Sequence, residues 1–168
     1  MLEEPLPESD HIQMLVDLLL RFPEIYTITL NLPSASCHLS YMIRRELAQE
    51  EFTALERQLQ EIMETFCFLN RCPERCRFAI TRESEQGLTR LQLTLSCEPF
   101  LDELISLITA IMHEHFPEEL IVEQRSSTYC RGPENGFTGE LTLPGDSEQR
   151  SGRLSAFRDS GKVYIFDH

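Results

Sequence analysis

Cys67, Cys72 and Cys76 form the densest group of soft metal-ligating side chains in the sequence, spaced Cys-x4-Cys-x3-Cys. Thiolates suit Zn2+, which takes four ligands in a tetrahedron and holds coordinated thiols deprotonated. A fourth ligand would have to come from Cys97, His113 or His115. The spacing lacks the Cys-x2-Cys pair of the commoner zinc motifs. The opposing account therefore stands beside it: Cys67 and Cys97 as small buried apolar residues, the others as loop or edge residues. The missing Cys-x2-Cys also removes the usual redox pair. Nothing in the sequence demands a cofactor, and zinc is the one alternative it offers.

The histidines are less directed. His113-Glu114-His115 falls at the end of a helical pattern, and residues two apart on a helix do not share a face. An imidazole there suits the negative end of the helix dipole. Cys37 and His38 are a nucleophile and a base in adjacent positions, but adjacent residues of a strand point to opposite faces. The catalytic candidates that remain are Cys97 and His113, a thiol or a histidine in a cleft near residues 97–115. No Gly-x-Gly-x-x-Gly, P-loop or Gly-x-Ser-x-Gly sequence occurs, which argues against a nucleotide fold or a hydrolase elbow.

Hydrophobic periodicity defines the elements that must position these groups. Asp10 is placed to cap a helix to about Arg21, stopped by Pro23. Residues 25–32 alternate with period two, which predicts a strand with Tyr26, Ile28, Leu30 and Leu32 on its apolar side. Residues 37–43 alternate as well, and we expect a strand returning beside 25–32, although Arg44 to Gln49 favours helix. Phe52, Leu55, Leu59, Ile62, Met63, Phe66 and Leu69 recur at intervals of three or four, which predicts a helix over 48–69. Strands follow at 76–82 and 88–95, then a broadly apolar helix over 99–115 ended by Pro117. Further strands are expected at 119–126 and 137–143. Residues 153–158 and 163–166 flank Asp159-Ser160-Gly161-Lys162, a hairpin that either extends the main sheet or forms a small flap.

Residues 25–66 and 76–116 both read strand, strand, helix, so a β-β-α pseudo-repeat is a candidate despite poor residue identity. The expected fold is a single α+β domain over residues 1–168. It has an antiparallel sheet with two principal helices on one face, a disordered stretch at 1–9 and a β-rich extension at 127–168. A helical 37–43 would instead give a ferredoxin-like split β-α-β-β-α-β topology. The other face of the sheet is expected to show Thr27, Thr29 and Asn31, with Thr89, Gln92 and Thr94 or their neighbours.

Charge narrows the function classes. The 168 residues carry 28 acids against 15 bases, a net charge of −13, and Lys162 is the sole lysine. Such a surface disfavours nucleic acid and anionic membranes, and favours a basic protein partner. No run approaches the roughly 18 apolar residues of a membrane span. The N-terminal MLEEPLPESD reverses the charge of a signal peptide, so a cytoplasmic location with reduced thiols is expected. The leading expectation is a non-catalytic protein-binding protein, an adaptor, assembly factor or chaperone-like molecule. It would use its acidic surface with a sheet edge or apolar face, and homodimerisation is plausible. The alternatives are a small cytoplasmic enzyme with a thiol or histidine in a cleft, and a zinc-binding or ligand-sensing protein.

Overall fold

The structure, a computed structural model, describes residues 8–72, 76–96, 101–122, 153–159 and 162–167. In chain order these form α1 (Glu8–Arg21), β1 (Thr27–Asn31), β2 (Ser36–Ile43), α2 (Gln49–Leu69), β3 (Arg77–Glu85), β4 (Leu88–Ser96), α3 (Leu101–His115), β5 (Arg153–Asp159) and β6 (Lys162–Asp167). The alternating pattern at 37–43 prevails over the helix formers that follow it, so β2 is a strand and the split β-α-β-β-α-β alternative does not hold.

All six strands join one antiparallel sheet in the order β3-β4-β2-β1-β5-β6. The β1–β2 and β3–β4 hairpins lie side by side, with β2 against β4 and Tyr41 opposite Leu91. The strands of the two strand-strand-helix segments are thus laid out palindromically about that seam. The C-terminal hairpin extends the sheet, because β5 pairs with β1 through Thr29 opposite Ser155 and Leu30 opposite Leu154.

One face of the sheet is apolar because alternate strand positions supply Ile28, Leu30, Leu39, Tyr41, Leu91, Leu93, Leu95, Leu154 and Ala156. These pack in one core with Leu15 and Leu19 of α1, Leu55 and Leu59 of α2, and Leu104, Ile108 and Met112 of α3. The N-terminal helix α1 joins the two principal helices on this face, lying against β5 and β6. The Tyr41 hydroxyl meets Thr109 Oγ1 at 2.9 Å inside this core and ties β2 to α3.

One expectation changes. Thr89 shares the phase of Leu91, Leu93 and Leu95, so it is buried on the helix side. It is tolerated there because its hydroxyl donates to the Arg45 carbonyl at 2.7 Å and accepts from the Leu47 N–H at 3.1 Å. In the described part of the segment expected as a strand at 119–126, residues 119–122 pair through a bridge between Leu120 and Ile43, supported by Arg44 N–H to Glu119 O and Ile121 N–H to Met42 O. The strand expected at 137–143, the remainder of 119–126 and the stretch at 1–7 lie outside the described residues.

Candidate functional site

The three clustered cysteines come from the end of α2, the turn after it and the approach to β3. The local backbone explains the first two. Cys72 N–H bonds to Cys67 O at 2.9 Å, Arg71 N–H reaches Phe68 O at 3.4 Å, and Arg71 takes a φ of 52°. This is a Schellman ending, in which the residues two beyond the cap and three before it come into contact. Those two residues are Cys72 and Cys67. Cys76 joins them from the strand side, and the three sulfurs all lie within 4.8 Å of one another.

The trio could hold a metal ion. Zn–S bonds of about 2.3 Å in a tetrahedron place sulfurs about 3.8 Å apart, so closure asks for a shift of about 1 Å. The thiols border a cavity of about 310 Å³ whose walls also include Glu64, Phe68, Arg77 and Phe78. Withdrawal from water, reinforced by the neighbouring Cys72 and Cys76 thiols, pushes the Cys67 thiol up to about 12. Without a cation Cys67 is thus protonated at neutral pH and a poor nucleophile. No fourth ligand joins the trio among the described residues. Cys97 lies outside them; it follows Ser96, whose partner across the β3–β4 ladder is Arg77, the neighbour of Cys76.

The histidines stand elsewhere. His115 Nε2 contacts Gln58 Oε1 on α2, nine residues before Cys67 and thus about 13 Å away along the helix axis. His113 Nε2 sits 2.7 Å from Glu24 Oε1 in a surface pair whose carboxylate is mostly buried. Cys37 points into the core and His38 to the opposite face, where its Nδ1 meets Thr94 Oγ1 at 3.0 Å. Burial, and then the nearby Arg153 charge, hold the His38 imidazole below its ordinary range. A groove of about 310 Å³ between α1 and α3 is lined by Asp10, Asp17, Leu101 and an Arg21–Asp102 ion pair, and has no nucleophile in its walls.

The described helices pack on the core face of the sheet, and on the opposite face Ser40 is buried while its neighbours Thr27, Thr29, His38, Gln92 and Thr94 are half-buried. The register lines up Ala79, Thr94, His38, Thr29, Ser155 and Phe166 across the strands, and beside them Thr81, Gln92, Ser40, Thr27, Phe157 and Tyr164. The floor is polar, with Thr29 bonded to Ser155 at 2.9 Å, and its β6 side is aromatic. Phe157 stacks on Tyr164 and Phe166 at ring distances of 5.1 and 5.5 Å, leaving Tyr164 40% and Phe166 36% exposed. Arg77, Arg90 and Arg153 share this face by register with the exposed acids Glu83 and Glu85, and α2 carries exposed Glu50, Glu51, Glu56, Glu61 and Glu64 on the helical side. A smaller apolar tip, Phe68 at 83% and Leu69 at 72% exposure, ends α2.

The chain has no match among protein-family models, characterised proteins or solved structures. No helix of the described residues is long and apolar enough to cross a membrane. The aromatic trio escaped the sequence reading. Its signal was present in Ser155-Ala156-Phe157 and Val163-Tyr164-Ile165-Phe166, whose alternation puts all three rings on one side once the hairpin is set.

Proposed function

We propose that the protein binds another protein, without catalysing a reaction on it, through the sheet face that carries Phe157, Tyr164 and Phe166. The observation that supports this most is the stacked trio itself, partly exposed on a face that no described helix covers. Rigid aromatic side chains anchor protein interfaces because they bury large area at small entropic cost. The polar threonine and serine floor beside them can satisfy a partner's polar groups at the rim. The net charge of −13 acts over longer range and favours encounter with a basic protein. An adaptor or chaperone-like role in the cytoplasm fits this division of labour. The dispersal of Cys37, His38, His113 and His115 gives the enzyme alternative less support.

The test is capture of partners from cell extract by the full chain and by a Phe157→Ser, Tyr164→Ser, Phe166→Ser variant. A partner held at stoichiometric level by the parent, released by added salt and lost by the variant supports the reading. Capture that survives the substitutions, or no stoichiometric partner together with no self-association at tens of micromolar, overturns it.

A further inference from the structure

We propose that Cys67, Cys72 and Cys76 bind one Zn2+ per chain, clamping the end of α2 to the start of β3. The site is independent of the sheet face and of whatever binds there. Its geometric basis is convergence of three sulfurs, within 4.8 Å, from three separate backbone positions. The Schellman ending alone accounts for Cys67 meeting Cys72, since that motif favours contact between the corresponding side chains. It does not account for Cys76, which arrives from the far side of the connection. An apolar contact needs no third sulfur; a thiophilic ion does.

The surroundings suit such an ion. Three thiolates around Zn2+ leave one net negative charge, which solvent reached through the bordering cavity screens. The half-buried sulfurs are reached from a cavity of about 310 Å³, which gives the ion an entry path and leaves room for a fourth donor. Zn2+ takes no electron in the process: each thiol gives its proton to solvent as its Zn–S bond forms, so no oxidant or reductant is required. With three protein thiolates and a fourth donor entering from the cavity, the ion replaces weak contacts at a helix end with bonds.

The experiment uses the reduced full-length chain loaded with Zn2+ and freed of excess metal. Elemental analysis is expected to give one equivalent per chain, and timed alkylation read by mass spectrometry to show Cys67, Cys72 and Cys76 protected at least tenfold. The same timed alkylation with excess EDTA gives the metal-free rate of each thiol, and Cys37, buried in the core, reports the general slowing that accompanies any gain in stability. Substituting Co2+ is expected to produce intense near-ultraviolet sulfur-to-metal charge-transfer absorption, absent from a Cys67→Ser, Cys72→Ser variant. Less than about 0.2 equivalents of zinc, unprotected thiols, or a Cys67–Cys72 disulfide as the only modification of the trio would overturn the proposal. The alkylation pattern of the unsubstituted chain decides the matter even where the variant fails to fold.

Discussion

Tyr41 carries the clearest chemical consequence at the scale of one residue. Its hydroxyl is fully buried, so loss of solvation raises the phenol well above its usual range, with Thr109 as its hydrogen-bond partner. A raised folded-state value means that the neutral form is favoured by folding. Its contribution is complete below an unfolded value of about 10 and is lost as pH climbs toward the folded value. The melting temperature is therefore expected to fall above about pH 10, and less steeply in Tyr41→Phe. That variant should cost about 1 kcal/mol at neutral pH through the lost hydrogen bond, measured by denaturant unfolding. His38 has the opposite sign. Burial and Arg153 depress its value, so its contribution is complete above about 6.5 and is lost as pH falls through the folded value. His38→Gln should consequently lose less stability than the parent between about pH 7 and 5. An alternating pattern showed where Tyr41 and His38 point. The partners Thr109 and Thr94 did not follow from it, because they come from elements 68 and 56 residues away.

At the scale of an element, α2 is strong in its middle and imperfect at both ends. Phe52, Leu55, Leu59 and Met63 are buried along one stripe, which is why its extent was legible from spacing alone. Its N-cap is Ala48, which makes no side-chain cap hydrogen bond, so the first turn relies on Glu50 and Glu51 against the dipole. Ala48→Ser is expected to stabilise the protein by about 0.5–1 kcal/mol. At the other end Arg71 occupies a left-handed position that glycine fills without a Cβ penalty. Arg71→Gly should add about 0.5–1 kcal/mol to the unfolding free energy, measured in the zinc-free protein so that metal binding does not mask the change. Neither end could be read from hydrophobic periodicity, which reports the buried stripe and is silent on capping. The cysteine spacing drew attention to 67–76 as a site. Its geometry came from the Schellman hydrogen bonds, which carry no glycine signature here. Thr89 was misplaced for a related reason: a threonine reads as a surface residue until its hydroxyl is seen bonded to the carbonyl of Arg45.

At the scale of the whole molecule, the described strands carry helices on one side and a polar and aromatic surface on the other. Core and surface should therefore separate by mutation. Leu93 of β4 is fully buried in the core, and Leu93→Ala is expected to cost about 2–5 kcal/mol in chemical denaturation. Replacing Tyr164 and Phe166 together should move stability much less, because both rings are already partly solvated. The helical layer was legible because each helix has a stripe of apolar residues. The aromatic face was not, because it exists only after β5 pairs with β1 and β6 turns back beside it. Covalent side-chain footprinting of the chain, alone and in its isolated complex, tests the central claim most directly. The account predicts that Phe157, Tyr164 and Phe166 become protected while Phe68 and Leu69 at the end of α2 keep their reactivity. Protection of Phe68 and Leu69 with the three rings unchanged would contradict it.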